Sequence, residues 1–99
     1  MLANALAVIE AGMPDLLFVH FHGIDDTGHT YGPGSPEQLA AIWGVDAAVG
    51  ELMEAAPEDT LILILADHGQ HRVQEEDSLG NHGHLIEEDM LIPIWVVEK

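Results

Sequence analysis

The feature that most constrains this chain is Thr60-Leu-Ile-Leu-Ile-Leu-Ala66, an unbroken apolar run of strand length that stops abruptly at Asp67-His-Gly-Gln-His71. Apolar continuity without alternation predicts a strand covered on both faces, as inside α/β sheets. A second run, Asp15-Leu-Leu-Phe-Val-His-Phe21, ends in the same manner, with His22, Asp25, Asp26 and His29 following and His20 alternating within it. A third, Leu91-Ile-Pro-Ile-Trp-Val-Val97, closes the chain, with Pro93 near its start, where a lost backbone donor matters least.

The segments between predict helices. Leu2, Leu6 and Ile9 stand at helical spacing over residues 2–11, and Gly12 and Pro14 stop the pattern. Ser35-Pro-Glu-Gln-Leu39 begins the next helix: Ser35 is the N-cap, Pro36 suits the first turn, and Gln38 has capping-box spacing. Apolar positions 39, 42, 43, 45, 49, 52 and 53 carry that helix to about residue 56, and Pro57-Glu-Asp-Thr60 is the turn. The glycine- and proline-rich stretch 20–36 predicts no continuous helix or strand. Residues 72–90, with the acid clusters Glu75-Glu-Asp77 and Glu87-Glu-Asp89, predict solvated surface without regular structure. The order α-β-α-β-loop-β predicts an α/β fold: one domain over 1–99, with a mainly parallel sheet of about three strands and flanking helices.

Charge narrows the partners. Eighteen acidic residues against Arg72 and Lys99 give a net charge of −16, which repels duplex nucleic acid and anionic membranes. The 47% hydrophobic content argues against disorder, and a chain of this size is expected to bury roughly 60–65% of its unfolded surface. The acid excess has three candidate sources: a high-salt host, a cation-binding role, or membership of a larger and better balanced protein. There is no cysteine, hence no disulfide or thiolate ligand. No apolar run approaches the roughly 18 residues of a membrane span. The first ten residues lack a basic region and reach Glu10 early, so they do not read as a signal peptide. These observations assign no compartment.

In parallel sheets, polar sites gather beyond the carboxyl ends of the strands. That rule brings Asp25 and His29 together with Asp67 and His68, and adds Gly80-Asn-His-Gly-His84, where glycines flank His82. Taken singly, each residue has a plain structural reading: a loop cap, a core or helix-facing His20, or a His22, His71 or Asp26 bonded to loop backbone. Three separate segments with histidine, glycine and usually aspartate favour a metal instead. Imidazole with carboxylate suits a borderline divalent ion such as zinc.

Asp25-x-x-x-His29 followed by Tyr31-Gly-Pro33 and Ser35-Pro-Glu37, then Ala66-Asp-His-Gly69, then Gly80-x-His-Gly83, resembles the C-terminal metal-binding half of the alkaline phosphatase superfamily. The type I phosphodiesterase/nucleotide pyrophosphatase branch is the most similar. The resemblance covers about residues 14–97 and implies a partial alkaline-phosphatase-like core holding two divalent ions, Zn2+ first, with Mn2+ or another ion as the alternative. It implies that Asp25, His29 and His82 hold one ion, with a position left open, and that Asp67 and His68 hold the other. His84 competes with His82, and His71 is a further metal or substrate candidate.

In the family the second ion also takes an aspartate and a threonine or serine nucleophile from the N-terminal half. Thr27, Thr30, Ser35, Thr60 and Ser78 do not match that motif, so no catalytic nucleophile is assigned. The expectation is a phosphodiester or nucleotide pyrophosphate hydrolase whose metal-binding part is this chain. It would meet its phosphate-ester substrate only when completed by an N-terminal half, and would be weak or inactive alone. The alternative is a catalytically inactive metal-binding or oligomerising module of acidic, high-salt origin, forming homo-oligomers through an exposed sheet edge.

Overall fold

A computed structural model describes residues 1–99. Helix α1 spans Leu2–Gly12, α2 Gly23–Tyr31 and α3 Pro36–Ala55. Strand β1 is Leu61–Leu65, β2 His71–Arg72 and β3 Gly80–Asn81; a short helix α4, Glu87–Met90, precedes β4, Ile94–Glu98. The predicted first and long helices are present, and their punctuation works as the sequence implies. Ser35 Oγ accepts from the Gln38 amide at 3.2 Å, with Pro36 in the first turn. Gln38 departs from a capping box: its Oε1 accepts from the Gly34 amide at 2.8 Å, and its Nε2 reaches the Ile24 carbonyl and Gln70. One side chain thereby ties α3 to α2.

The mainly parallel sheet is not there. Two separate two-stranded antiparallel ladders replace it, β1 with β4 and β2 with β3. Parallel neighbours require a crossover, usually helical. Between β1 and β4 the chain instead makes the small β2–β3 ladder and the four-residue α4, then returns alongside β1 in the opposite direction. Residues 15–21, predicted as a strand, pair with no ladder at all, and Leu16 and Phe18 are each 83% exposed. The third predicted strand starts three residues late, at Ile94, just after Pro93.

The expectation of double burial also fails. Leu61, Leu63 and Leu65 lie on one exposed face of β1, opposite Val96 and Ile94 of β4, which are exposed as well. Only 8 of 99 residues are buried. The chain exposes 7060 Å² where a compact chain of its mass exposes about 5,500 Å². Its radius of gyration, 15.4 Å, exceeds the roughly 13 Å of a compact 99-residue domain. The apolar runs express a demand for cover that this chain's own elements leave unmet.

Four further elements lie where the sequence predicted none. Helix α2 occupies part of the glycine-rich stretch, and Gly28 explains how: a Cβ there would collide with the side chains of Gln70 and Gln38. Residues 72–90, predicted to lack regular structure, contain β3, α4 and the second residue of β2, which begins at His71. Both fixed cations serve the framework. Lys99 Nζ donates to the Met53 and Glu54 carbonyls at the end of α3, where a helix favours positive charge, and Arg72 donates to the Pro33 carbonyl.

Candidate metal centre

Asp25 stands in the first turn of α2, and the i,i+4 spacing of one helical turn brings His29 to the same face. His29 Nε2 lies 3.3 Å from Asp25 Oδ2. Its other ring nitrogen, Nδ1, is 2.6 Å from the Gly80 carbonyl oxygen. A carbonyl only accepts, so Nδ1 carries a proton, and in the neutral ring Nε2 is the nitrogen left to bind a metal beside Asp25.

The remaining ligand candidates come from two loops. His82 follows β3 and places Nε2 3.4 Å from Asp25 Oδ1. His68 follows β1 and stands with Nε2 3.9 Å from the same oxygen and 3.6 Å from Asp67 Oδ1. His68 Nδ1 lies 2.8 Å from the Gly69 carbonyl, which fixes its tautomer by the same argument. The His68 and His82 rings stack with centroids 3.7 Å apart. Asp25, His29, His82, His68 and Asp67 therefore form one continuous array. All five come to one place, although no parallel sheet gathers them.

Three members of the array could hold a metal ion. Asp25, His29 and His82 present one donor atom each within 4.8 Å of one another. Tetrahedral zinc bonds of about 2.0–2.1 Å put ligand atoms roughly 3.3–3.4 Å apart. His29 Nε2 and His82 Nε2 face the two different oxygens of Asp25, at 3.3 Å from Oδ2 and 3.4 Å from Oδ1, and both distances exceed the usual 2.7–3.2 Å of an N–H···O hydrogen bond. Gln70 fixes the central carboxylate, its Nε2 donating to Asp25 Oδ1 at 2.8 Å and to the Asp25 carbonyl at 3.0 Å.

His71 and His84 belong elsewhere, in a second cluster with Asp89. His71 Nδ1 is 2.7 Å from Asp89 Oδ1, and the His84 amide donates to Asp89 Oδ2 at 2.9 Å. His82 thus stands in the first cluster and His84 in the second. Asp89, assigned from sequence to a solvated acid run, is only 3% exposed. Burial pushes its pKa up, but the His71 hydrogen bond, the His84 amide and the two imidazoles outweigh that and hold it below its ordinary value.

Sequence reasoning gave Asp89 and His20 other roles and passed over Gln70. His20 Nε2 lies 3.6 Å from Asp67 Oδ2 and its ring leans on His22, so it borders the array rather than filling a core. The faint signals were an acid directly before Met90-Leu-Ile92, and an amide set between two histidines at Gly69-Gln-His71. Four of the five hydroxyls considered as nucleophiles bond to backbone: Thr27, Thr60 and Ser78 donate to carbonyls, and Ser35 caps α3.

Comparison with known proteins identifies the family. The family model described as type I phosphodiesterase/nucleotide pyrophosphatase matches residues 1–95. The GPI ethanolamine phosphate transferase 3 of Schizosaccharomyces pombe is 31% identical over 85 residues, covering 86% of this chain and 9% of that protein. The catalytic subunit of the human GPI ethanolamine phosphate transferase 3 is 32% identical, over 83% of this chain and 7% of its own length. Venom phosphodiesterase 2 of Crotalus adamanteus is 36% identical, over 65% of this chain and 8% of that protein. The chain spans less than a tenth of the length of each of these relatives. It belongs to the type I phosphodiesterase/nucleotide pyrophosphatase family, a phosphoester-processing branch of the alkaline phosphatase superfamily.

Proposed function

We propose that this chain supplies the metal-holding loops of a phosphodiester or nucleotide pyrophosphate hydrolase. Asp25, His29 and His82 hold one divalent ion, and Asp67 and His68 hold a second. The observation that carries this reading is the convergence of three imidazole Nε2 atoms on the Asp25 carboxylate, at 3.3, 3.4 and 3.9 Å. Zn2+ suits a nitrogen- and oxygen-only donor set best, with Mn2+ as the alternative. Bound there, two ions would supply positive charge to the attacking and leaving oxygens of an in-line displacement at phosphorus.

The chain's own residues have narrower tasks. Gly80 and Gly69 carbonyls set the His29 and His68 tautomers, and Gln70 holds Asp25 so that its carboxylate faces the imidazoles. Arg72 donates to the Pro33 carbonyl and Lys99 to the Met53 and Glu54 carbonyls. The nucleophile comes from outside the hydroxyls considered above, in a further segment of the complete enzyme. The transferases and phosphodiesterases among the relatives share a phosphate ester as the group acted on, and this is the substrate class proposed here.

The test is hydrolysis of an aryl phosphodiester by the chain with added zinc. Little or no turnover is expected, with zinc binding intact. Robust turnover that disappears in Asp67→Ala would overturn the missing-nucleophile part of the proposal. A second reading, an inactive metal-binding module that self-associates, is favoured by the exposed Leu61, Leu63 and Leu65 face and the unpaired edge of β1. Light scattering separates the two: a zinc-binding dimer without activity, even beside any added N-terminal segment, supports the second.

A further inference from the structure

Asp89 touches both loops that carry the outer ligand candidates. Its Oδ1 holds His71 at 2.7 Å, three residues after His68; its Oδ2 holds the His84 amide at 2.9 Å, two residues after His82. Its carbonyl accepts from the Gly69 amide at 2.8 Å, and the Gly69 carbonyl in turn faces His68 Nδ1. Gly69 sits so near α4 that a Cβ would collide with the Glu88 carbonyl oxygen. One residue thus clamps the Asp67–His71 loop to the His82–His84 loop through three hydrogen bonds. The β2–β3 ladder joins the same loops on the other side, through only two residue pairs.

The geometry points to Asp89 as a positioning residue that sets the spacing between His68 and His82, one candidate ligand of each proposed ion, and so the affinity of the centre for metal. The inference rests on the proposed metal centre. The cluster is a clamp rather than a third metal site because both carboxylate oxygens already accept hydrogen bonds at full strength and the residue is almost wholly buried. Partners that orient metal ligands from behind typically change metal affinity 10–100-fold when removed.

The experiment measures zinc affinity of the full chain by competition with a chromophoric chelator, alongside zinc stoichiometry and thermal melting without metal. Asp89→Ala is expected to weaken zinc binding about 10-fold or more at unchanged stoichiometry. Asp89→Asn can still accept from the His84 amide and donate to an unprotonated His71 Nδ1, so it is expected to restore affinity to within about threefold of wild type. His71→Phe keeps ring volume and removes one arm of the clamp; it decides the matter if the alanine variant does not fold, with a loss of about fivefold or more expected. Variants that melt earlier but bind zinc as tightly as wild type would overturn the positioning role. A stoichiometry that falls by one ion in Asp89→Ala would overturn it in favour of a metal at His71, His84 and Asp89. Failure of the wild-type chain to bind zinc would overturn the metal centre itself, a different outcome from wild-type binding that ignores Asp89.

Discussion

Replacing Asp25 with asparagine removes one charge from the middle of the array and keeps its shape. The Gln70 hydrogen bond survives, because the asparagine oxygen accepts it as the carboxylate does. Without metal the change should cost little: Asp25 is about one third exposed, and partly exposed carboxylate–imidazole pairs contribute roughly 0–1 kcal/mol. With metal the two proteins should part. Zinc at 100 times its dissociation constant stabilises the wild type by about 2.7 kcal/mol. For a domain of this size that raises Tm by roughly 10–20 °C. Losing an anionic ligand should cost at least the upper end of the 10–100-fold seen for supporting partners. At the same zinc concentration the variant then gains only about 0.4 kcal/mol, or roughly 2–3 °C. The assay is far-ultraviolet circular dichroism during heating, with and without zinc. Equal zinc-induced shifts in the two proteins would refute the assignment of Asp25 as a metal ligand.

Two more outcomes follow from particular contacts. Gly69→Ala should displace the loop from α4 and break the Gly69–Asp89 bond, lowering stability by roughly 1–3 kcal/mol for the stranded donor alone; a melting temperature within 2–3 °C of wild type, about the shift of 0.5 kcal/mol, would contradict the close approach. Asp89, with its folded pKa below the ordinary 3.8, binds fewer protons folded than unfolded, so its stabilising contribution is complete above about pH 4 and is lost as pH falls through the depressed value. The Tm difference between wild type and Asp89→Asn should therefore hold constant near neutrality and shrink below pH 4; a gap that widens on acidification would reverse the sign of the argument.

The local chemistry of this chain was more legible than its sheet. Ser35 and Pro36 start α3 where their side chains predict, because a cap is a contact between neighbours in sequence. Asp25, His29, Asp67, His68 and His82 meet although the sheet expected to gather them is absent. Helix α2 was hidden by Gly23 and Gly28 and by the lack of an apolar stripe; the reason Gly28 belongs there, two glutamine side chains against its Cα, comes from distant positions. The apolar runs misled about topology for a related reason. A run such as Leu61–Leu65 declares that it needs cover, but not which chain or element provides it. Here β4 pairs with it along one edge and its leucine face stays open. Asp89 was unreadable because an acid within Glu87-Glu-Asp89 looks like solvated surface until the His71 and His84 loops close over it.

The central claim is that these loops hold divalent metal, and metal content tests it most directly. Protein purified without chelator, analysed by mass spectrometry for elemental composition, should carry bound divalent ion, zinc foremost and up to two per chain, and stripped protein should regain its melting temperature when zinc is restored. A metal-free chain whose melting ignores added zinc and manganese would contradict the account.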